Sequence, residues 1–228
     1  MAGMTLDRDF LARPVLEVAP ALLGALLHRD GVTLRLTEVE AYAGPADPGS
    51  HAYRGPTPRT QVMFGQAGHL YVYLSYGMHH CVNIVTGPDG TASAVLLRAA
   101  QVVEGQALAR ARRQAGLRTT VSERDLARGP GRLTRALGLG PQHDGLDLLA
   151  PGAQVELSAG EPLAVPVRSG PRVGVSGEGG DGDRFPWRFW IEGEPTVSAY
   201  RAAPPRRLAR AAPAGARHTS EPGKDTDR

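Results

Sequence analysis

Asp30-Gly31 stands between two apolar runs, ALLHR and VTLRL, and no other pair constrains this chain as strongly. A two-residue type I′ turn needs positive φ at both central positions, and Asp-Gly supplies it at little cost. The pair therefore predicts a β-hairpin whose second strand continues through TEVEAY to Tyr42. A second hairpin is predicted from HLYVYLSYGMHHCVNIV, with strands over 69–75 and 79–86 joined at YGM, and TASAVLLRA at 91–99 adds another strand after the turn GPDG. Shorter strand-like pieces follow at 153–158, 163–168, 172–176 and 187–192. Helices are expected around Val15–Leu23, over 101–115 with a basic face, and over 128–139 after a Gly-Pro turn; a further helix start is expected at Ser122–Leu126. This pattern predicts an α+β fold: a single domain with a curved, mostly antiparallel, hairpin-connected sheet flanked by helices. The 228-residue chain is long enough to bury a core without disulfides. Its domain is expected to span 11–202, with residues 1–10 loose and 203–228 a basic, disordered tail.

Several classes drop out on composition. Cys81 is the only cysteine, which excludes an intrachain disulfide framework and a four-cysteine zinc site. The start MAGMTLDRDF has acids and no apolar centre, so no signal peptide is expected. The apolar run at 14–27 is broken by Glu17, Pro20 and Gly24 and is too short to span a bilayer. A cytoplasmic protein without a membrane partner is the expectation. The net charge of +3 would suggest affinity for nucleic acid, but segment 206–228 carries six bases against three acids and accounts for all of it. A phosphate-binding face must therefore come from the arrangement of charges on the body.

Strand phase is more informative, because alternate residues share a face. Leu70, Val72 and Leu74 are expected in the core, and Val82 and Ile84 on the return strand with them. Tyr71, Tyr73 and Asn83 then face a second surface together. Tyr76 lies where the chain reverses beside Gly77, a place that offers an aromatic ring little to pack on. In VTLRLTEVEAY, the phase of Val32, Leu34 and Leu36 continues into Glu38, Glu40 and Tyr42 unless a bulge intervenes. Buried carboxylates are rare unless paired. Arg98 ends AVLLRA in the same manner, with Leu96 and Ala94 in phase behind it. Two readings stand on these residues alone: a structural ion pair, or a catalytic carboxylate with its cationic partner. The loop 43–60 separates the first two hairpins and holds Pro45, Pro48, Pro56 and Pro58 among glycines; long loops of this kind in compact domains tend to carry function.

Five blocks in order carry a resemblance: EVEAYAGPADPGSHAYRGPTPRT, HLYVYLSYGMHHCVNIV, AVLLRA, ARGPGRLTRAL, and PRVGVS with RFWIEG. Over roughly residues 10–200 the chain resembles the alkyladenine (3-methyladenine) DNA glycosylases of the mammalian type. The resemblance implies a monofunctional enzyme that flips alkylated or deaminated purines out of duplex DNA and releases them by attack of water on the sugar C1′, without cofactor or metal. It implies that Glu40 activates the water, that Arg98 also holds it, and that the Val173 backbone carbonyl completes the water site. Tyr42, His51 and Tyr73 match the walls that stack the extruded base, and Asn83 matches the residue that screens purines by their exocyclic groups. Tyr76 matches the ring wedged into the DNA stack, which answers the gap that base flipping leaves. Tyr71 is left as structural support. Met78 and His79 at the hairpin tip, Thr57 and Arg59 in the proline-rich loop, and Arg132 at a helix start are the candidates for DNA-backbone contact. The expected partner is damaged double-stranded DNA, bound by a monomer. A zinc site at His51, His79, His80 and Cys81 is disfavoured, since His79 and His80 on one strand point to opposite faces. The chain departs from vertebrate relatives in MHH at the tip and in the acidic, glycine-rich stretch 176–187, which is expected to point away from the duplex or to be mobile.

Two rivals explain less. A single-strand-binding module would use the tyrosines as a platform but gives no role to Glu40 beside Arg98. A hydrolase of small nucleosides would use the carboxylate but has no need of an aromatic ring at a hairpin tip.

Overall fold

The computed structural model describes residues 5–116 and 118–203. Nearly all of the expected tail and residues 1–4 lie outside the described residues. The elements in chain order are α1 (Arg8–Leu11), α2 (Val15–Ala21), β1 (Leu26–Arg29), β2 (Val32–Tyr42), β3 (Leu70–Ser75), β4 (His79–Val85), β5 (Ala94–Glu104), α3 (Gln106–Gln114), α4 (Pro130–Leu137), β6 (Glu156–Ser158), β7 (Val167–Gly170) and β8 (Arg188–Ile191). The eight strands form one sheet, ordered β3-β4-β5-β2-β1-β6, with β8 also on β2 and β7 on β8. Every pairing is antiparallel. The fold is α+β, as the hairpin signals predict. The first turn forms as expected, with Asp30 at φ 48° and Gly31 at φ 71° and Arg29 paired to Val32.

The main core packs Leu27, Leu34, Leu36, Val39, Leu97 and Ile84 of the sheet against Val18 and Leu22 beside α2 and Leu133 and Leu137 of α4. Its composition reveals how β2 is built. Leu34 and Leu36 face this core, but so do Val39 and Ala41, so the strand changes phase between Leu36 and Val39. β5 does the same between Ala100 and Leu97. The two strands carry matching irregularities around Glu38 and Ala99, and the register is the same on either side. Beyond this point Glu38, Glu40 and Tyr42 face away from the main core. The bulge left open by the sequence is therefore present. It also marks where β2 exchanges its neighbour: β1 pairs up to Arg35, and β8 pairs with Glu38 to Glu40.

Several local expectations are corrected. The segment 101–104 is strand rather than the start of a helix: Gln101, Val102 and Glu104 pair with Arg35, Leu34 and Thr33. Gly105 then turns the chain at φ 72°, where an added Cβ would lie 2.1 Å from the Gly31 carbonyl oxygen, and α3 follows. Residues 172–176 form no strand, because their backbone is drawn to side chains of the site described below. Ser122–Leu126 contains only a single 3₁₀ turn, Glu123–Asp125. Leu74 is 47% exposed rather than core, since β4 meets β5 only from Asn83 onward and the distal hairpin projects beyond the sheet. At the N-terminus, the described part of the stretch expected to be loose is ordered. Asp7 caps α1 by accepting the Phe10 N–H at 2.8 Å, and Leu6, Phe10 and Leu11 are buried. The later strands are shorter than expected or displaced, at 156–158, 167–170 and 188–191.

Candidate functional site

The phase change in β2 and β5 places two carboxylates and an arginine on one patch. Glu38 and Glu40 are wholly buried. Glu40 Oε1 accepts the Val173 N–H at 2.7 Å, and Oε2 accepts the Tyr42 hydroxyl at 2.9 Å. Arg98 reaches Glu40 less closely, with Nη1 3.5 Å from Oε1. Its nearer partner is Glu38, whose Oε1 accepts Arg98 Nε at 2.8 Å. The same Glu38 oxygen accepts Arg188 Nε at 2.6 Å and the Ser198 hydroxyl at 2.9 Å, while Oε2 accepts the Ser198 N–H at 2.7 Å. Burial by itself lowers the Arg98 pKa, but the Glu40 and Glu38 carboxylates more than offset this and hold it above the usual arginine value. The result is a buried, charge-balanced group of two carboxylates and two guanidiniums.

Glu40 and Arg98 of this group line a cavity of 620 Å³ that is also lined by Tyr42, Tyr73, Asn83 and the exposed Tyr76. His51, Arg59 and the Val173–Ser176 segment line it as well. Burial, then the Glu40 charge, pushes the Tyr42 phenol well above its usual range, so it stays protonated and donates to Glu40. Burial likewise raises Tyr73. Tyr71 stacks on Tyr73 with centroids 5.4 Å apart and 26° between the planes. His51 meets Tyr73 edge-on at 4.7 Å, and its Nδ1 lies 3.2 Å from the Tyr71 hydroxyl. Loss of solvation against these rings, and then the charge of Arg59, lowers the His51 pKa. Asn83 is fixed by donating Nδ2–H to the Tyr71 carbonyl at 3.1 Å.

Tyr42 is held from behind. The Arg172 guanidinium lies over its ring at 4.6 Å from the centroid. Arg172 is fully buried and donates to both oxygens of Asp47, at 2.5 and 2.7 Å, and to the carbonyls of Ala41 and Gly179 at 2.9 and 2.7 Å. Gly49 is required here, since a Cβ on it would lie 2.5 Å from Arg172 Nη2. The proline-rich loop is thus an ordered wall of the cavity.

Residues 9–195 match the family model described as methylpurine-DNA glycosylase. The chain belongs to the methylpurine-DNA glycosylase family. It is similar to proteins that carry the name "Putative 3-methyladenine DNA glycosylase" in three bacteria. The match is 56% identical in Streptomyces avermitilis, covering 89% of this chain and 94% of the relative. It is 53% identical in Leifsonia xyli, covering 86% and 93%. In Frankia casuarinae it is 52% identical, covering 87% and 93%. The chain is accordingly a DNA glycosylase, a hydrolase of N-glycosyl bonds that binds DNA. No helix among the described residues is long and apolar enough to cross a membrane.

In this methylpurine-DNA glycosylase the residues expected to bind DNA divide into two groups. Tyr76 and Met78 project from the hairpin tip, 86% and 69% exposed. Tyr76 and Gly77 both adopt positive φ, 49° and 68°, in a turn closed by the Met78 N–H to the Ser75 carbonyl at 3.0 Å. His79 packs over the start of α4, where a Cβ on Gly131 would lie 2.8 Å from His79 Cβ. Arg132 is half exposed beside it, 3.6 Å from Asp125. Thr57 is exposed and bonds Thr60 within its own loop. Arg59 is placed differently from its neighbours: its guanidinium lies over the Tyr73 ring, 5.1 Å from the centroid, inside the cavity.

Glu40, Tyr42, His51, Tyr73, Asn83, Arg98 and Val173, all expected at the site, line one cavity with Tyr76. Val173, expected to complete the water site through its carbonyl, also donates its N–H to Glu40. Arg98 bonds chiefly to Glu38 rather than to Glu40. Arg188, Ser198, Asp47 and Arg172 were not singled out. Arg188, Arg172 and Asp47 lie within the quoted blocks RFWIEG, PRVGVS and EVEAYAGPADPGSHAYRGPTPRT, whereas Ser198 lies in none of them.

Proposed function

We propose that this glycosylase excises alkylated and deaminated purines from duplex DNA by flipping the base into the cavity and directing water to C1′. The observation that carries the reading is the position of Glu40: a wholly buried carboxylate at the closed end of a nucleobase-sized cavity whose mouth holds an exposed tyrosine on a rigid turn. Tyr42 and Tyr73 offer faces on which a purine stacks, each worth roughly 1–3 kcal/mol. Tyr76 fills the gap in the duplex and offsets the unstacking of the base. Asn83, held by its bond to the Tyr71 carbonyl, is rigid enough to reject purines by their exocyclic groups.

In the chemical step the water oxygen bonds to C1′ as the N-glycosyl bond breaks, and the bonding pair leaves with the base. Glu40 takes the proton from water and faces the positive charge that develops on the sugar. Val173 N–H and the Tyr42 hydroxyl fix the carboxylate in one orientation. Arg98 borders the water site. Purines methylated on a ring nitrogen are already cationic and leave without further help. Neutral lesions require a proton on the departing base; burial and then the Arg59 charge lower the His51 pKa, which makes it a weak donor, so a solvent water at the base supplies that proton. The protein acts as a monomer in this reading, since one chain supplies every group named.

Single-turnover excision on duplexes carrying 3-methyladenine, 7-methylguanine, hypoxanthine or ethenoadenine tests the proposal. Release of at least one alkylated base and of hypoxanthine is expected; release of none from a folded enzyme overturns the reading, and release of cationic bases alone removes the deaminated class from it. Tyr76→Ser is expected to weaken binding to a duplex with an abasic-site analogue by roughly 5- to 150-fold, the equivalent of one lost stacking contact. Unchanged affinity in a fluorescence titration rejects the wedge.

A further inference from the structure

We propose that Glu38 is a positioning residue that draws Arg98 away from Glu40 and so preserves the basicity of Glu40. The inference rests on the proposed chemistry at Glu40 and deepens it. Arg98 has two carboxylates within reach but treats them unequally. Its Nε donates to Glu38 at 2.8 Å, whereas Nη1 stays 3.5 Å from Glu40. Arg98 is a buried cation and would otherwise close on the nearest free carboxylate, where two parallel N–H bonds give the strongest geometry. A carboxylate clamped in that way is a poor base and has no oxygen left for water.

Glu38 prevents this through a rigid anchorage of its own. Four donors converge on it: Arg98 Nε, Arg188 Nε from β8, and the hydroxyl and N–H of Ser198. Ser198 binds the far side of Arg98 as well, 3.4 Å from Nε and 3.3 Å from Nη2. Arg188 is turned toward this group by donating Nη2–H to the Ser198 carbonyl at 2.7 Å. The Glu38 carboxylate thus neutralises part of two guanidiniums while Glu40 keeps only the Val173 N–H, the Tyr42 hydroxyl and the long contact to Arg98. Glu38 and Glu40 share a face by strand alternation, and the irregularity at Glu38 in the β2–β5 ladder turns that face away from the main core.

The other charged and titratable groups around Glu40 are Tyr42 on its own strand, Tyr73 and Cys81 on the β3–β4 hairpin, and Arg172 behind Tyr42. Burial keeps the two tyrosines and Cys81 protonated, and Arg172 is committed to Asp47. None of them substitutes for Glu38 as a competitor for Arg98.

The test is Glu38→Gln, read by single-turnover release of 7-methylguanine from duplex DNA between pH 4 and 9. That base needs no protonation to leave, so the acidic limb reports the general base alone. The expected result is a plateau rate at least tenfold lower and an acidic limb displaced to lower pH, because Arg98 now closes on Glu40. Binding to an abasic-analogue duplex is expected to stay within about threefold of wild type. A structural role alone would lower the melting temperature and the active fraction but leave the limb in place, and an unmoved limb in a folded variant overturns the proposal. Should the single variant fail to fold, Glu38→Gln with Arg188→Met removes one charge of each sign and carries the same two expectations. Failure of wild type to release any base would instead overturn the function on which this inference rests.

Discussion

Glu40→Gln is expected to abolish base release while leaving recognition of the lesion in place. Gln keeps the shape of the side chain and one oxygen able to accept the Val173 N–H. What it loses is the ability to take a proton from water and to face the positive sugar as an anion. Removal of a positioned general base costs roughly 10²- to 10⁴-fold in rate, and the loss of the anion facing the transition state adds to this. His51, Tyr73 and Asn83 make no bond to Glu40, and the Tyr42 ring is held from behind by Arg172, so the extruded base still has its stacking surfaces. Single-turnover excision and equilibrium binding on the same lesion duplex separate the two effects. Retained turnover at near wild-type rate sinks the assignment of Glu40 as base. A parallel loss of binding would show that its role is to hold the cavity together.

The sequence made this site legible because its most specific parts are local. Asp30-Gly31 and Tyr76-Gly77 announce their turns, and both pairs adopt positive φ. The alternation Leu70, Val72 against Tyr71, Tyr73 places two rings on the cavity side, and Glu40 with Tyr42 follows from EVEAY. The misses share one physical origin: they depend on a second strand or a distant segment. The phase change of β2 is matched by one in β5, so the two cancel in register and neither is visible in a single strand's pattern. The assignment of 101–104 to a helix followed the basic periodicity of α3 too far upstream, whereas pairing with Thr33–Arg35 decides the conformation there. Arg98 reaches Glu40 as the strand ends suggest, but its closer bond to Glu38 depends on Arg188 and Ser198, which come from distant segments. Arg172 finds Asp47 across 125 residues, a pairing that no spacing rule anticipates.

That last pair carries the second large effect. Arg172→Met is expected to destabilise the protein by about 3–5 kcal/mol, the usual consequence of leaving one member of a buried ion pair uncompensated. Asp47 is fully buried, and without Arg172 its charge retains only the N–H groups of Ala43 and Gly49, at 3.2 and 2.8 Å. Burial lowers the pKa of Arg172, but its bonds to Asp47 and the Asp47 charge outweigh that and raise it overall. The carbonyls of Ala41 and Gly179 lose a donor at the same time. For a domain of this size such a loss lowers the melting temperature by roughly 6–20 °C. Pairing the change with Asp47→Leu should recover a substantial part of the stability, because replacing both charges by apolar groups leaves none to solvate. Activity should not recover to the same extent. Tyr42 is positioned by the guanidinium behind its ring, and the loop bearing His51 is anchored through Asp47, so the double variant tests whether the pair shapes the base pocket beyond holding it folded. Thermal melts of the two variants beside single-turnover rates answer this: a stable double variant with wild-type excision would show that Tyr42 and the loop hold their places without Arg172.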